Sequence, residues 1–148
     1  MSSSADAVLA YWNEHRQQLR QCEKNQRATM TNFILVIVAA LTGLIVQQKF
    51  TPPTAALGAL IAILGLYGAV ISAKYHERAT YHLSQARALT TTLKDMGTLD
   101  EDANLNQSRT DHYNAFPLLH RLRLHTLWTG LHIAICAHGI TLATITAF

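Results

Sequence analysis

The chain has 148 residues, of which 49% are hydrophobic and 14% charged, with a net charge of +3. Soluble domains carry roughly 25% charged residues, so the composition argues against a soluble enzyme. Residues 74–123 interleave seven Lys/Arg with six Asp/Glu, which is not the basic stripe of a nucleic-acid binder, and no direct nucleic-acid binding is expected.

The apolar residues collect in three blocks, 31–46, 53–73 and 124–148. A bilayer core about 30 Å thick takes about 20 helical residues to cross. The second and third blocks meet that length with no Asp, Glu, Lys or Arg, and the first meets it with its flanks. The expected fold is all-α, an integral membrane protein with three transmembrane helices. Two of them form a long hairpin that extends into a cytoplasmic helical stalk. One membrane domain over 1–148 is expected.

In chain order, residues 5–30 are polar and show neither a cleavable signal peptide nor a break in helical pattern. Val8, Trp12, His15, Leu19, Cys22 and Gln26 fall at alternating spacings of four and three, the seam of a packed amphipathic helix. The first span is expected at 28–48. Phe50-Thr51-Pro52-Pro53 stops it, and Pro53 opens the second span, 54–74. Beyond that span, Ser72, His76, Ala79, Leu83, Ala86, Thr90 and Leu93 repeat the seam spacing. Both seams are weakly apolar, so the stalk is expected to need partner subunits. Gly97 suits the C′ position that ends this helix. Residues 97–108 read as a polar loop within a cytoplasmic helical segment, 75–123, with a short helical piece over 109–115. Pro117 suits the start of the last helix, whose span is 124–147.

Lys and Arg set orientation. Arg16, Arg20, Lys24 and Arg27 precede the first span; Lys74, Arg78 and Arg87 follow the second; Arg121 and Arg123 precede the third. Lys49 alone lies between the first two, and none follows the third. The expected orientation has the N-terminus and residues 74–123 in the cytoplasm and the C-terminus on the other side of the membrane.

On the third span, His125, Thr129, His132, Cys136, Gly139 and Ala143 lie within about 40° of one helical direction. Polar groups are costly in lipid and turn to protein or water. The stripe therefore lines a pore in an oligomer or packs against other helices. A haem held by histidines would need two subunits, since every intramembrane His is on this one helix. Small residues at Ala39 and Gly43, and at Gly58, Ala62, Gly65 and Ala69, allow close helix approach, within a protomer or between protomers. Arg78 and His82, with Arg121 and Arg123, form the densest juxtamembrane polar group, a phosphate or nucleotide cradle or an interfacial anchor.

The two cysteines, Cys22 and Cys136, suggest neither a disulfide nor a metal site, and no metal or cofactor is expected. There is no P-loop, GxGxxG, HExxH or GxSxG. The pairs Arg78/His82 and Arg121/His125 have three intervening residues, a shorter gap than the HEPN ribonuclease motif. An enzyme is not expected.

Residues 23–50 (EKNQRATMTNFILVIVAALTGLIVQQKF), 64–78 (LGLYGAVISAKYHER) and 119–128 (LHRLRLHTLW) resemble a group of small bacterial membrane proteins. The architecture resembles the small transmembrane effectors of anti-phage defence, the SLATT-type effectors and the membrane accessory proteins of RNA-targeting CRISPR systems. The resemblance implies a homo-oligomer that receives a nucleotide signal or a cytoplasmic defence protein and then perturbs the inner membrane, as a gated pore. It implies no particular site residue. The alternative from a different class is a non-conducting membrane scaffold or regulator of a cytoplasmic partner.

Overall fold

The structure, a computed structural model, describes residues 4–98 and 103–147. All regular structure among them is helical: α1 (Ser4–Arg20), α2 (Thr29–Gln47), α3 (Ala55–Asp95), α4 (Ala103–Ala115) and α5 (Leu124–Ala147). A π-helical stretch, Gln21–Ala28, joins α1 to α2, and a 3-10 turn, Pro52–Thr54, leads into α3. Three helices, Ser4–Gln47, Pro52–Asp95 and Leu124–Ala147, are long and apolar enough to cross a membrane.

The π-helical stretch follows from side-chain spacing. Val8, Trp12, His15, Leu19 and Cys22 turn inward at intervals of three or four, and so do Arg27, Thr31, Ile34, Val38 and Ile45 or their near neighbours. Between Cys22 and Arg27 the interval is five, which a wider turn accommodates. Among the described side chains the inward stripe resumes at Arg27; the expected Gln26 lies outside the described side chains. An i+4 continuation cannot anticipate this.

Helix ends follow backbone chemistry. At the end of α3, Thr98 N–H donates to Leu93 C=O and Gly97 N–H to Lys94 C=O, with Gly97 at φ +67°. This is the Schellman pattern, and glycine adopts its left-handed position without strain. The same pattern closes α2, where Phe50 N–H donates to Ile45 C=O and Lys49 N–H to Val46 C=O. There the left-handed residues are Lys49 (φ +53°) and Phe50 (φ +56°), whose Cβ atoms disfavour it.

Two expectations about the later chain are corrected. The loop expected over 97–108 is helical from Ala103; residues 99–102 lie outside the described ones. Ala, Leu and Gln favour helix whatever their exposure, and Gln107 donates to Asp111 one turn on at 2.9 Å. Nor does the last helix begin at Pro117. Phe116 N–H closes α4 on His112 C=O, so Pro117 follows a helix end. A 3-10 turn, Leu119–Arg121, and an extended Leu122 intervene before Leu124.

The chain forms two compact units. One, the seam unit, comprises Met1–Cys22 and Glu77–Arg123; the other, the apolar unit, comprises Glu23–His76 and Leu124–Phe148. In the seam unit, Ala79, Ala86 and Leu93, seven residues apart, are buried, with Leu83 and Thr90 half-buried between them. Small alanines let α1 approach, and its Trp12 indole donates to Thr90 Oγ1 at 3.0 Å. In the apolar unit, Ile34, Val38 and Ile45 of α2, Ile61 of α3, and Ile135 and Leu142 of α5 form one core. A seam of small residues, leucines, Trp12 and Thr90 buries different chemistry from an apolar three-helix core, so each unit has its own interior.

Candidate functional site

The polar stripe of α5 lies inside the apolar unit. A Cβ on Gly58 would fall on the Ala143 backbone, on Gly65 on the Cys136 backbone, on Gly68 on the His132 ring, and on Gly139 on the Ala62 backbone. Further along, His76 stacks on His125 with ring centroids 3.7 Å apart and 9° between planes. Each step along α3 is matched, to within one residue, by a step back along α5, the register of an antiparallel pair packed nearly backbone to backbone. Glycine is required at Gly65 and Gly139 because the atoms opposite are main chain and cannot rotate away.

His132 is fully buried, with its Nε2 3.1 Å from Thr31 Oγ1 of α2 and its Nδ1 against Gly68. Both ring edges are therefore occupied by protein, which leaves no open side for a haem iron. Thr129 and Cys136 are half-buried and Gly139 is buried in the same interface. Within the protomer, His132, Cys136 and Gly139 of the stripe pack against α2 and α3. The reason is local: glycines on α3 leave a groove that accepts the imidazole and small residues of α5.

The small-residue expectation divides. Gly58, Gly65 and Ala69 are buried and Ala62 is half-buried, all on the inward side of α3. Ala39 and Gly43 are not packed in this way: Ala39 is exposed, and nothing lies within 4 Å of a Cβ built on Gly43. Next to them on the outside, Thr42 Oγ1 and His138 Nε2 are 3.2 Å apart.

The juxtamembrane group also divides. Arg78, Arg121 and Arg123 are exposed, whereas His82 turns into the seam. Its Nδ1 lies 3.0 Å from His15 Nδ1, and Tyr81 packs edge-on to both rings. One nitrogen of that pair must accept, so at least one of the two rings is neutral. Burial lowers the His82 pKa, the charges of His15 and Arg78 lower it further, and Glu14 opposes them. His82 is thus a seam residue, not part of an open phosphate cradle. Beside Trp12, an apolar groove is lined by Ala5, Leu9, Thr90 and Leu93.

The chain matches no protein-family model, no curated protein and no solved structure.

Three polar features among the described residues are not singled out as polar sites by the sequence pattern, which marks Ser72 and His76 only as seam positions and His125 as part of the stripe. Arg27 is 3% exposed, with Nε and Nη2 lacking hydrogen-bond partners, and Ser72 is fully buried with an unpartnered Oγ. The third is the His76/His125 stack. By position Arg27 is one more flanking positive charge, and the only signal of its burial is the interval of five after Cys22.

Proposed function

We propose that this is an integral protein of a bacterial inner membrane, with the apolar unit in the bilayer and the seam unit in the cytoplasm. In this reading it acts as a homo-oligomeric, non-conducting anchor whose cytoplasmic helices hold or regulate a partner. One observation carries it: the apolar unit is arranged inside out. Phe33, Val36, Ile63 and Val70 are 60–69% exposed, while Thr31, Ser72 and His132 are wholly buried. Lipid would solvate the large apolar side chains, and polar groups turn to the protein interior, where Thr31 and His132 pair. The Lys/Arg asymmetry supports a cytoplasmic N-terminus and a periplasmic C-terminus. The groove beside Trp12 supports a docked partner or second copy.

One feature favours a second reading, a gated pore or membrane-perturbing effector of anti-phage defence. The Thr42/His138 pair is exposed on an otherwise apolar surface beside Ala39 and Gly43. Exposed polar groups at such a level call for protein contact, so any conducting path would run between protomers past His138.

Reconstitution into liposomes tests both readings. The anchor reading expects carbonate-resistant insertion, a periplasmic reporter signal from a C-terminal fusion and no ion leakage. Leakage abolished by His138→Leu replaces it with the effector reading. A cytoplasmic C-terminus refutes the three-span topology common to both.

A further inference from the structure

The apolar unit buries one arginine. Its only acidic side chain is Glu23, which is exposed. Guanidinium does not lose its proton in proteins, so burial cannot neutralise Arg27. A buried charge is tolerated only when paired and hydrogen-bonded, yet Nε and Nη2 of Arg27 have no partner among the described residues.

Register shows what surrounds it. Thr31 on α2 meets His132, which meets Gly68 on α3. Arg27 lies one turn before Thr31, and Ser72 one turn after Gly68. The helices α2 and α3 run in opposite senses, so both steps lead to the same side of His132. The pairs Gly68/His132 and His76/His125 bracket Ser72 and set it across from Thr129. The buried Ser72 hydroxyl is also unpartnered. By this register Arg27, Ser72 and Thr129 share one level of the bundle, and Arg27 itself lies in the π-helical stretch, a feature frequent at functional sites.

We propose that Arg27, Ser72 and Thr129 form a site for a phosphate-class oxyanion, supplied either by a lipid headgroup or by free phosphate. The guanidinium fork matches two oxygens of a phosphate at once, and the hydroxyls donate to a third. The layer sits where the first apolar stretch begins, at the level of headgroups if the chain spans a bilayer. The lipid source therefore rests on the membrane reading above, and the free-phosphate source does not.

The test uses the full chain and thermal unfolding. In neutral detergent, sodium phosphate is compared with sodium chloride at equal ionic strength. In the same detergent, added phosphatidylglycerol is compared with added diacylglycerol, which lacks the phosphate. A ligand well above its Kd should raise Tm by about 5 °C. A rise with phosphate identifies the free anion; a rise only with phosphatidylglycerol identifies the headgroup. Arg27→Met keeps the stem and should abolish the rise, and Arg27→Lys should keep only part of it. Should Arg27→Met not fold, Ser72→Ala carries the test and should reduce the rise. No rise in either comparison, or an equal rise in wild type and these variants, overturns the site. If the protein does not insert into bilayers, the membrane reading fails separately and the sodium phosphate comparison still decides the free-phosphate site.

Discussion

Substituting Gly65 by alanine tests the α3/α5 contact most sharply, because the obstructing atoms are the backbone N and Cα of Cys136. No rotamer change relieves that collision, so the helices must separate along the whole contact. Overpacking of this kind costs about 1–3 kcal/mol. Alanine returns up to about 1 kcal/mol through helix propensity, a gain that Gly43→Ala shares without a collision, since Gly43 faces open space. The matched pair should therefore differ by about 1–3 kcal/mol, or about 2–12 °C in Tm at 2–4 °C per kcal/mol. Thermal unfolding in one detergent, followed by circular dichroism in the far ultraviolet, measures it. Equal Tm values for the two variants would refute backbone-level packing of α3 on α5.

Other outcomes follow from single contacts. The folded-state pKa of His82 lies below its ordinary 6.5, so the fold favours the neutral ring. Its contribution is complete above about pH 6.5 and is lost as pH falls through that value toward the folded pKa; His82→Gln should flatten this part of the pH–stability curve, and an unchanged slope would count against the His15/His82 pairing. Leu93→Ala removes a side chain that is 4% exposed and should cost about 2–4 kcal/mol. Hydrogen exchange should then rise first in the seam unit, and uniform loosening would contradict a separate interior there. Lys49→Gly removes a left-handed strain at φ +53° and should stabilise by about 1 kcal/mol; a lower Tm would show that the turn differs.

Periodicity made much of this architecture legible. Ala79, Ala86 and Leu93 are buried at the heptad spacing that marked them, and the four small residues from Gly58 to Ala69 face inward as a set. Spacing alone could not separate them from Ala39 and Gly43, because small residues suit a lipid-facing surface as well as a helix contact. Nor could it say what the α5 stripe touches. That depends on Gly68 leaving room for an imidazole and on Thr31 reaching its Nε2. The start of α4 is hidden because a polar run reads as a loop, although helix propensity is indifferent to polarity. Arg27 is hidden because by position it is one more positive charge flanking the first apolar block.

Thiol accessibility at Cys136 tests most directly whether the polar stripe packs within the protomer. Cys22 is first replaced by alanine, leaving Cys136 as the only cysteine. A second protein adds Thr51→Cys in the exposed turn and Cys136→Ala to the same background, and serves as the reactive reference. Both are reconstituted and treated with a membrane-impermeant maleimide. The packed stripe predicts that Cys136 stays unlabelled until the protein is denatured, while the reference thiol in the turn labels fully. Labelling of Cys136 at a rate comparable to the reference would place water along the stripe, contradict the packed interior and restore the pore.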